Sequence, residues 1–221
     1  MKPHRVFFSF AIVLGSLLGG AGTASEAIAP QQTIRQTAPE LQQVAQAQAQ
    51  RFALVIGNAD YKSSPLRNPA NDARDMATAL QELGFEVNLL LDATLPQIEA
   101  AIEQLNRQLR RGGVGMVFYA GHGIQVKGEN YLMPIGANIN REQDVRYEAY
   151  PLGRLLGSLE DADNDLNIVI LDACRNNPFA RQWRSASMGL APVQSARGTL
   201  VAYATYPGGL ADDGPDRNGV Y

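Results

Sequence analysis

The chain has 221 residues, 45% of them hydrophobic and 19% charged, a globular composition that excludes a wholly disordered or collagen-like protein. Its 19 basic and 22 acidic side chains leave a net charge of −3, so there is no basic excess to coat a nucleic acid and none is expected as a partner. Cys174 is the one cysteine, and the histidines are His4 and His122. An intrachain disulfide and a cysteine-based zinc cluster are therefore both excluded.

Residues 1–24 carry the three zones of a secretory signal peptide. Lys2 and Arg5 precede an uncharged apolar block at 6–18, and small residues follow at 20–24. Gly22 and Ala24 stand where a peptidase cutting before Ser25 needs small side chains. The expectation is an exported protein, periplasmic or extracellular, with an uncleaved membrane anchor as the alternative. Beyond this segment no stretch is apolar for the ~20 residues of a membrane span, so no further membrane contact is expected. Cleavage would remove Lys2, His4 and Arg5, giving 17 − 22 = −5 and leaving His122 as the sole histidine.

Residues 25–50 are rich in Gln and Ala and hold no aromatic residue. They read as a disordered linker that cannot bury a core. From Arg51 the texture changes, and 51–221 read as one domain. The apolar run 52–57 (FALVIG) suits a buried strand. Ala73, Met76, Ala77, Leu80 and Leu83 then fall at helical spacing ahead of Gly84, predicting a helix over 68–83. A second strand follows at 85–91. Leu95, Ile98, Ile102, Leu105 and Leu109 predict a second helix stopped by Gly112 and Gly113. A third strand is expected at 114–120, a hairpin at 123–134, and a helix at 151–159 with Pro151 in its first turn. Strands at 167–173 and 199–205 complete the series.

Strands alternating with helices of this length predict an α/β fold, a mostly parallel sheet with helices on both faces. Sites in such folds lie at the carboxyl ends of the strands. The third strand runs into Gly121-His122-Gly123 and the fourth into Asp172-Ala173-Cys174-Arg175. A lone histidine is ordinarily structural, and a lone cysteine is ordinarily a small buried hydrophobe. Together, at the carboxyl ends of two core strands, they form the pair a cysteine nucleophile needs. The imidazole can take the thiol proton and later protonate a leaving amine. Gly121 and Gly123 are expected to turn the backbone tightly and admit a substrate. The amides of Gly123 and Cys174 are candidate oxyanion donors.

Five stretches, RFALVIGNADY, LRNPANDARDMATALQELGFEV, VFYAGHGIQ, NIVILDACRNNPF and ATYPGGLADDGPDRNGVY, occur in family order. With them, residues 51–221 resemble the large catalytic subunit region of the caspase-like cysteine peptidases, most closely the prokaryotic metacaspase or orthocaspase branch. His122 and Cys174, 52 positions apart, fit the family spacing of about 50. The resemblance implies a three-layer caspase-like fold, and an endopeptidase acting on protein or peptide substrates through a His122–Cys174 dyad and a thioester acyl-enzyme. Caspases carry a Gln two positions before the cysteine, where this chain has Asp172. Metacaspases place an Asp there and another in the segment matching Asn71-Asp72. Asp72 and Asp172 are thus candidates for a pocket that takes Arg or Lys before the scissile bond, since paired carboxylates suit a guanidinium. The plainer alternatives are a helix-dipole partner for Asp72 and a supporting role for Asp172. In the family, the equivalent of the final RNGVY is followed by a helix and further strands. The resemblance therefore implies that the C-terminal strands are missing, and a monomer is expected because caspases dimerise through them.

Glu160, Asp161, Asp163 and Asp165 offer carboxylate oxygens, but the run lacks the twelve-residue calcium loop and its closing Glu. Calcium-dependent metacaspases carry an acidic insertion after the histidine, where this chain has only Glu129 within 124–134. Calcium is considered but not expected, and neither is any other metal or cofactor. Arg181, Arg184 and Arg197 are candidate self-cleavage sites. A partner-binding module without activity is the alternative, though such modules typically lose the His or Cys. A nucleotide-binding domain lacks its G-x-G-x-x-G or Walker lysine here, and a serine hydrolase its G-x-S-x-G.

Overall fold

A computed structural model of the protein describes residues 50–174, 190–193 and 197–203. The expected signal peptide, the linker up to residue 49, and Arg181 and Arg184 lie outside these residues. β1 (Arg51–Gly57) leads to α1 (Pro69–Glu82), β2 (Glu86–Leu91), α2 (Leu95–Leu109) and β3 (Val114–Val126). β4 (Glu129–Leu132), a 3-10 turn at Glu142–Asp144 and the short α3 (Val145–Glu148) follow. β5 (Tyr150–Pro151), α4 (Leu152–Glu160), β6 (Leu166–Cys174) and β7 (Thr199–Tyr203) complete the described order.

β2, β1, β3, β6 and β7 lie side by side in parallel, while β4 and β5 join the distal half of β3 in antiparallel. Strand alternation splits the core in two. Phe52, Leu54, Ile56, Val117, Tyr119, Val169 and Leu171 pack with α2 and α4 on one face. Ala53, Val55, Met116, Phe118 and Ala120 pack with Ala73, Ala77 and Leu80 of α1 on the other, joined by the partly buried Ile168 and Ile170. This is the expected mostly parallel sheet with helices on both faces. β1 is apolar at consecutive positions because both of its faces are covered.

Local signals set the helix starts. Pro69 opens α1 and Pro96 lies in the first turn of α2, positions where a missing N–H costs nothing. The backbone N–H of Thr94 donates to the Gln97 side chain at 2.9 Å, closing the start of α2. Pro151 departs from expectation: it stands just before α4, in β5, paired with Tyr131.

Candidate active site

The largest difference from expectation lies at β3, which does not stop at Ala120 but continues to Val126. The ladder persists because its partners change. Along one edge, β1 pairs with β3 from Val114 to Ala120, and β4 takes over from Gly123 to Val126. Along the other, β6 follows β3 until His122 and Cys174 are register partners. His122 therefore lies within a strand, and Gly121 and Gly123 make no tight turn.

The two glycines serve the protein's own packing. A Cβ on Gly121 would fall 2.7 Å from the Tyr61 hydroxyl and 2.8 Å from that of Tyr119. One on Gly123 would meet Ala173 and Leu190, each at 3.0 Å. Strand alternation turns the amide of Gly123 toward β6, because the carbonyls of Ala120 and His122 face the opposite edge, where they accept from Asn58 and Met133. On β6, Asn167 donates outward to Gly198, so the same alternation turns the Cys174 amide toward β3. The Cys174 side chain lies outside the described residues.

The His122 side chain is buried and held on two sides. Nε2 lies 2.8 Å from the carbonyl oxygen of Ser64, in the loop between β1 and α1. A carbonyl only accepts, so this bond places hydrogen on Nε2, and in the neutral ring Nδ1 then carries the lone pair. The ring of Tyr61 packs against the imidazole, with centroids 4.5 Å apart at 51°. A cavity of about 60 Å³ opens beside the pair, bordered by Lys62, Ser63, Pro134 and Ala137. A larger one of about 570 Å³, lined by Lys127, Glu129, Arg141 and Arg146 among others, holds none of the candidate residues.

Asp72 and Asp172 belong to one face of the sheet. Gly57 is the register partner of Ala120, and Ala120 of Asp172. A Cβ on Gly57 would run into Ala73 of α1 at 2.6 Å and into the Pro69 carbonyl, so the missing side chain is what seats the start of α1 on the end of β1. Asp72 lies in that first turn. Asp172 shares the parity of Ile168 and Ile170, which face α1. Both carboxylates are half-buried, and His122, two positions beyond Ala120, keeps the same face.

Sequence reasoning missed three contributors: Tyr61, Tyr119 and the Ser64 carbonyl. Tyr61 could have been found, since it lies just past the carboxyl end of β1, where sites gather. The carbonyl could not, because a backbone acceptor leaves no trace in residue identity. The acidic run is divided: Asp165 accepts from the Gly113 amide at 3.0 Å, while Glu160 ends α4. Among the described residues no group of three or more His, Cys, Asp or Glu could hold a metal ion, and no helix is long and apolar enough to cross a membrane.

Comparison with known proteins matches residues 50–221 to the family described as caspase domain. The human protein named mucosa-associated lymphoid tissue lymphoma translocation protein 1 is 31% identical over 127 residues, which is 57% of this chain and 15% of that protein. Its mouse homolog gives the same figures. This chain thus spans about one-seventh of the length of those relatives. Among solved structures, the Drosophila initiator caspase Dronc aligns with a TM-score of 0.47 and 14% identity, over 71% of this chain and 54% of the other.

Proposed function

The chain belongs to the caspase-domain family, and from that premise we propose that it is a cysteine endopeptidase of the prokaryotic metacaspase type, cleaving peptide bonds after Arg or Lys. The observation that carries this reading is the register pairing of His122 with Cys174, where the parallel ladder between β3 and β6 ends.

In the proposed cycle, Nδ1 of His122 accepts the Cys174 proton while the Ser64 carbonyl holds the imidazolium through Nε2–H. The thiolate attacks the scissile carbonyl carbon, and the amides of Gly123 and Cys174 receive the oxyanion once substrate displaces the ladder bonds that this register gives them, to the Cys174 and Gly121 carbonyls. Collapse breaks the C–N bond. His122 passes its proton to the departing amine, leaving a thioester on Cys174. Water, deprotonated by His122, then attacks the thioester, releasing the carboxylic acid and restoring the thiol. Asp72 and Asp172 bind the guanidinium or ammonium of the residue before the scissile bond, supported by their common face and partial burial. The proposal includes protein or peptide substrates, a monomer, no required calcium or other cofactor, and action outside the cytoplasm after loss of residues 1–24.

The test is hydrolysis of fluorogenic peptides ending in Arg, Lys or Asp, with and without a calcium chelator, beside a Cys174→Ala control. Cleavage after Arg or Lys that survives the chelator and vanishes in the control is expected. Cleavage after Asp alone would overturn the assignment of Asp72 and Asp172. No cleavage of any peptide would favour a partner-binding module.

A further inference from the structure

On the edge of β3 that passes from β1 to β4, the amide of His122 falls between the two partners. The Ala120 carbonyl is taken by Asn58, the residue just after β1, and the His122 carbonyl by Met133, the residue just after β4. The His122 N–H is directed between these two contacts, toward the loop that follows β1. The acceptor is the Tyr61 hydroxyl, at 3.1 Å. That hydroxyl donates to the Met133 carbonyl at 3.0 Å. The Tyr119 hydroxyl accepts from the Met133 N–H at 3.1 Å and donates to the His122 carbonyl at 2.7 Å. The two hydroxyls are 3.3 Å apart, in the space that the missing side chain of Gly121 leaves open. The Tyr119 hydroxyl is also 3.0 Å from the Met133 carbonyl, so the two phenols together close a hydrogen-bonded cycle around the peptide units of His122 and Met133.

Resting on the peptidase reading above, we propose that Tyr61 is a positioning residue for His122: its hydroxyl fixes the backbone from which the imidazole projects, and its ring fixes the imidazole plane. The loop that carries Tyr61 also carries Ser64, whose carbonyl holds Nε2. One seven-residue segment, Asn58 to Ser64, therefore sets the backbone, the ring plane and the tautomer of the base. Burial raises the Tyr61 phenol well above its ordinary value, so the hydroxyl keeps the proton it donates throughout the range in which a thiol–imidazole pair works. A base misplaced by about 1 Å costs on the order of a hundredfold in rate.

The experiment compares the full chain with Tyr61→Phe, at a temperature where melting curves show both folded. Two readouts are taken: the kcat and KM split on an Arg-ending peptide, and the rate of Cys174 alkylation by iodoacetamide from pH 5 to 9. An imidazole aimed at the thiol makes it react well below the free-thiol pKa of about 8.5. Expected for Tyr61→Phe is a fall in kcat of about tenfold or more with KM within about twofold, and an alkylation curve shifted toward that of a free thiol. Tyr119→Phe, which opens the same cycle but leaves the Tyr61 ring in place, is expected to show a smaller fall. It decides the matter if Tyr61→Phe cannot be obtained folded, an unchanged kcat then overturning the proposal. A folded Tyr61→Phe with unaltered kcat and alkylation curve overturns it directly, whatever its melting temperature. A wild-type chain with neither hydrolysis nor low-pH thiol reactivity overturns the peptidase reading itself, and this proposal with it.

Discussion

His122 on β3 and Cys174 on β6 are register partners across a parallel ladder, neighbours in space although 52 positions apart in the chain. Parallel strands bring equal heights together, so the two residues reach the carboxyl edge of the sheet at the same level. Replacing Cys174 with Ala is expected to abolish hydrolysis. His122→Ala is expected to lower kcat by about a thousandfold or more, since removing one member of such a unit disables the whole. Burst and steady-state assays on an Arg peptide check both. Substantial turnover in Cys174→Ala would rule out the thiol mechanism.

The row Gly57–Ala120–Asp172 and the first turn of α1 bring Asp172 and Asp72 onto one face. Asp72→Asn and Asp172→Asn are each expected to lower kcat/KM for Arg and Lys peptides by about ten- to a hundredfold, the scale of a lost charge-assisted hydrogen bond. The comparison is a panel of peptides that differ only in the residue before the scissile bond. Equal losses on uncharged residues would show that these carboxylates support structure instead.

Gly121→Ala places a methyl 2.7 and 2.8 Å from two buried hydroxyls. Overpacking of this kind costs about 1–3 kcal/mol. Thermal melting is expected to fall accordingly, with activity dropping further because the displaced hydroxyls are those that hold the His122 peptide. A melting temperature equal to wild type would mean that the tyrosines yield freely.

Asn58 is fully buried and ties two loops, accepting from the Ala93 N–H at 2.9 Å and donating to the Met133 carbonyl at 3.0 Å. Asn58→Ala takes the acceptor from the Ala93 N–H and one of the donors from the Met133 carbonyl, and is expected to cost about 1–3 kcal/mol. Urea denaturation is the measurement, and an unchanged midpoint would refute the assignment.

Tyr61 also gives the protein an alkaline dependence. Burial raises its phenol above the ordinary 10.0, followed in size by the neighbouring Tyr119 hydroxyl, which lowers it. The folded chain therefore binds this proton more tightly than the unfolded chain. That contribution is fully present below pH 10 and is lost as pH rises from there toward the folded value. Melting temperature is expected to fall above pH 10, and to fall less steeply in Tyr61→Phe. Parallel pH curves for the two proteins would exclude this cause.

The helical repeat of Leu95, Ile98, Ile102, Leu105 and Leu109 was legible because α2 buries one stripe over four turns. β1 was legible because a strand covered on both faces is apolar at every step. The 3-10 turn, α3 and β5 were not, since segments of two to four residues are too short to repeat any period. By itself the sequence determined the alternation of strands and helices, and it offered one thiol and one strand-end imidazole to be brought together. Only the tertiary structure decided that β3 runs on through His122, that Asp72 shares a face with Asp172, and that Tyr61 and the Ser64 carbonyl grip the histidine. The physical reason is that hydrophobic periodicity is a local property of side chains. The exchange of β1 for β4 along β3 is a matter of backbone pairing, and the hydrogen bonds that hold His122 there each join a backbone group to a side chain about 60 positions away.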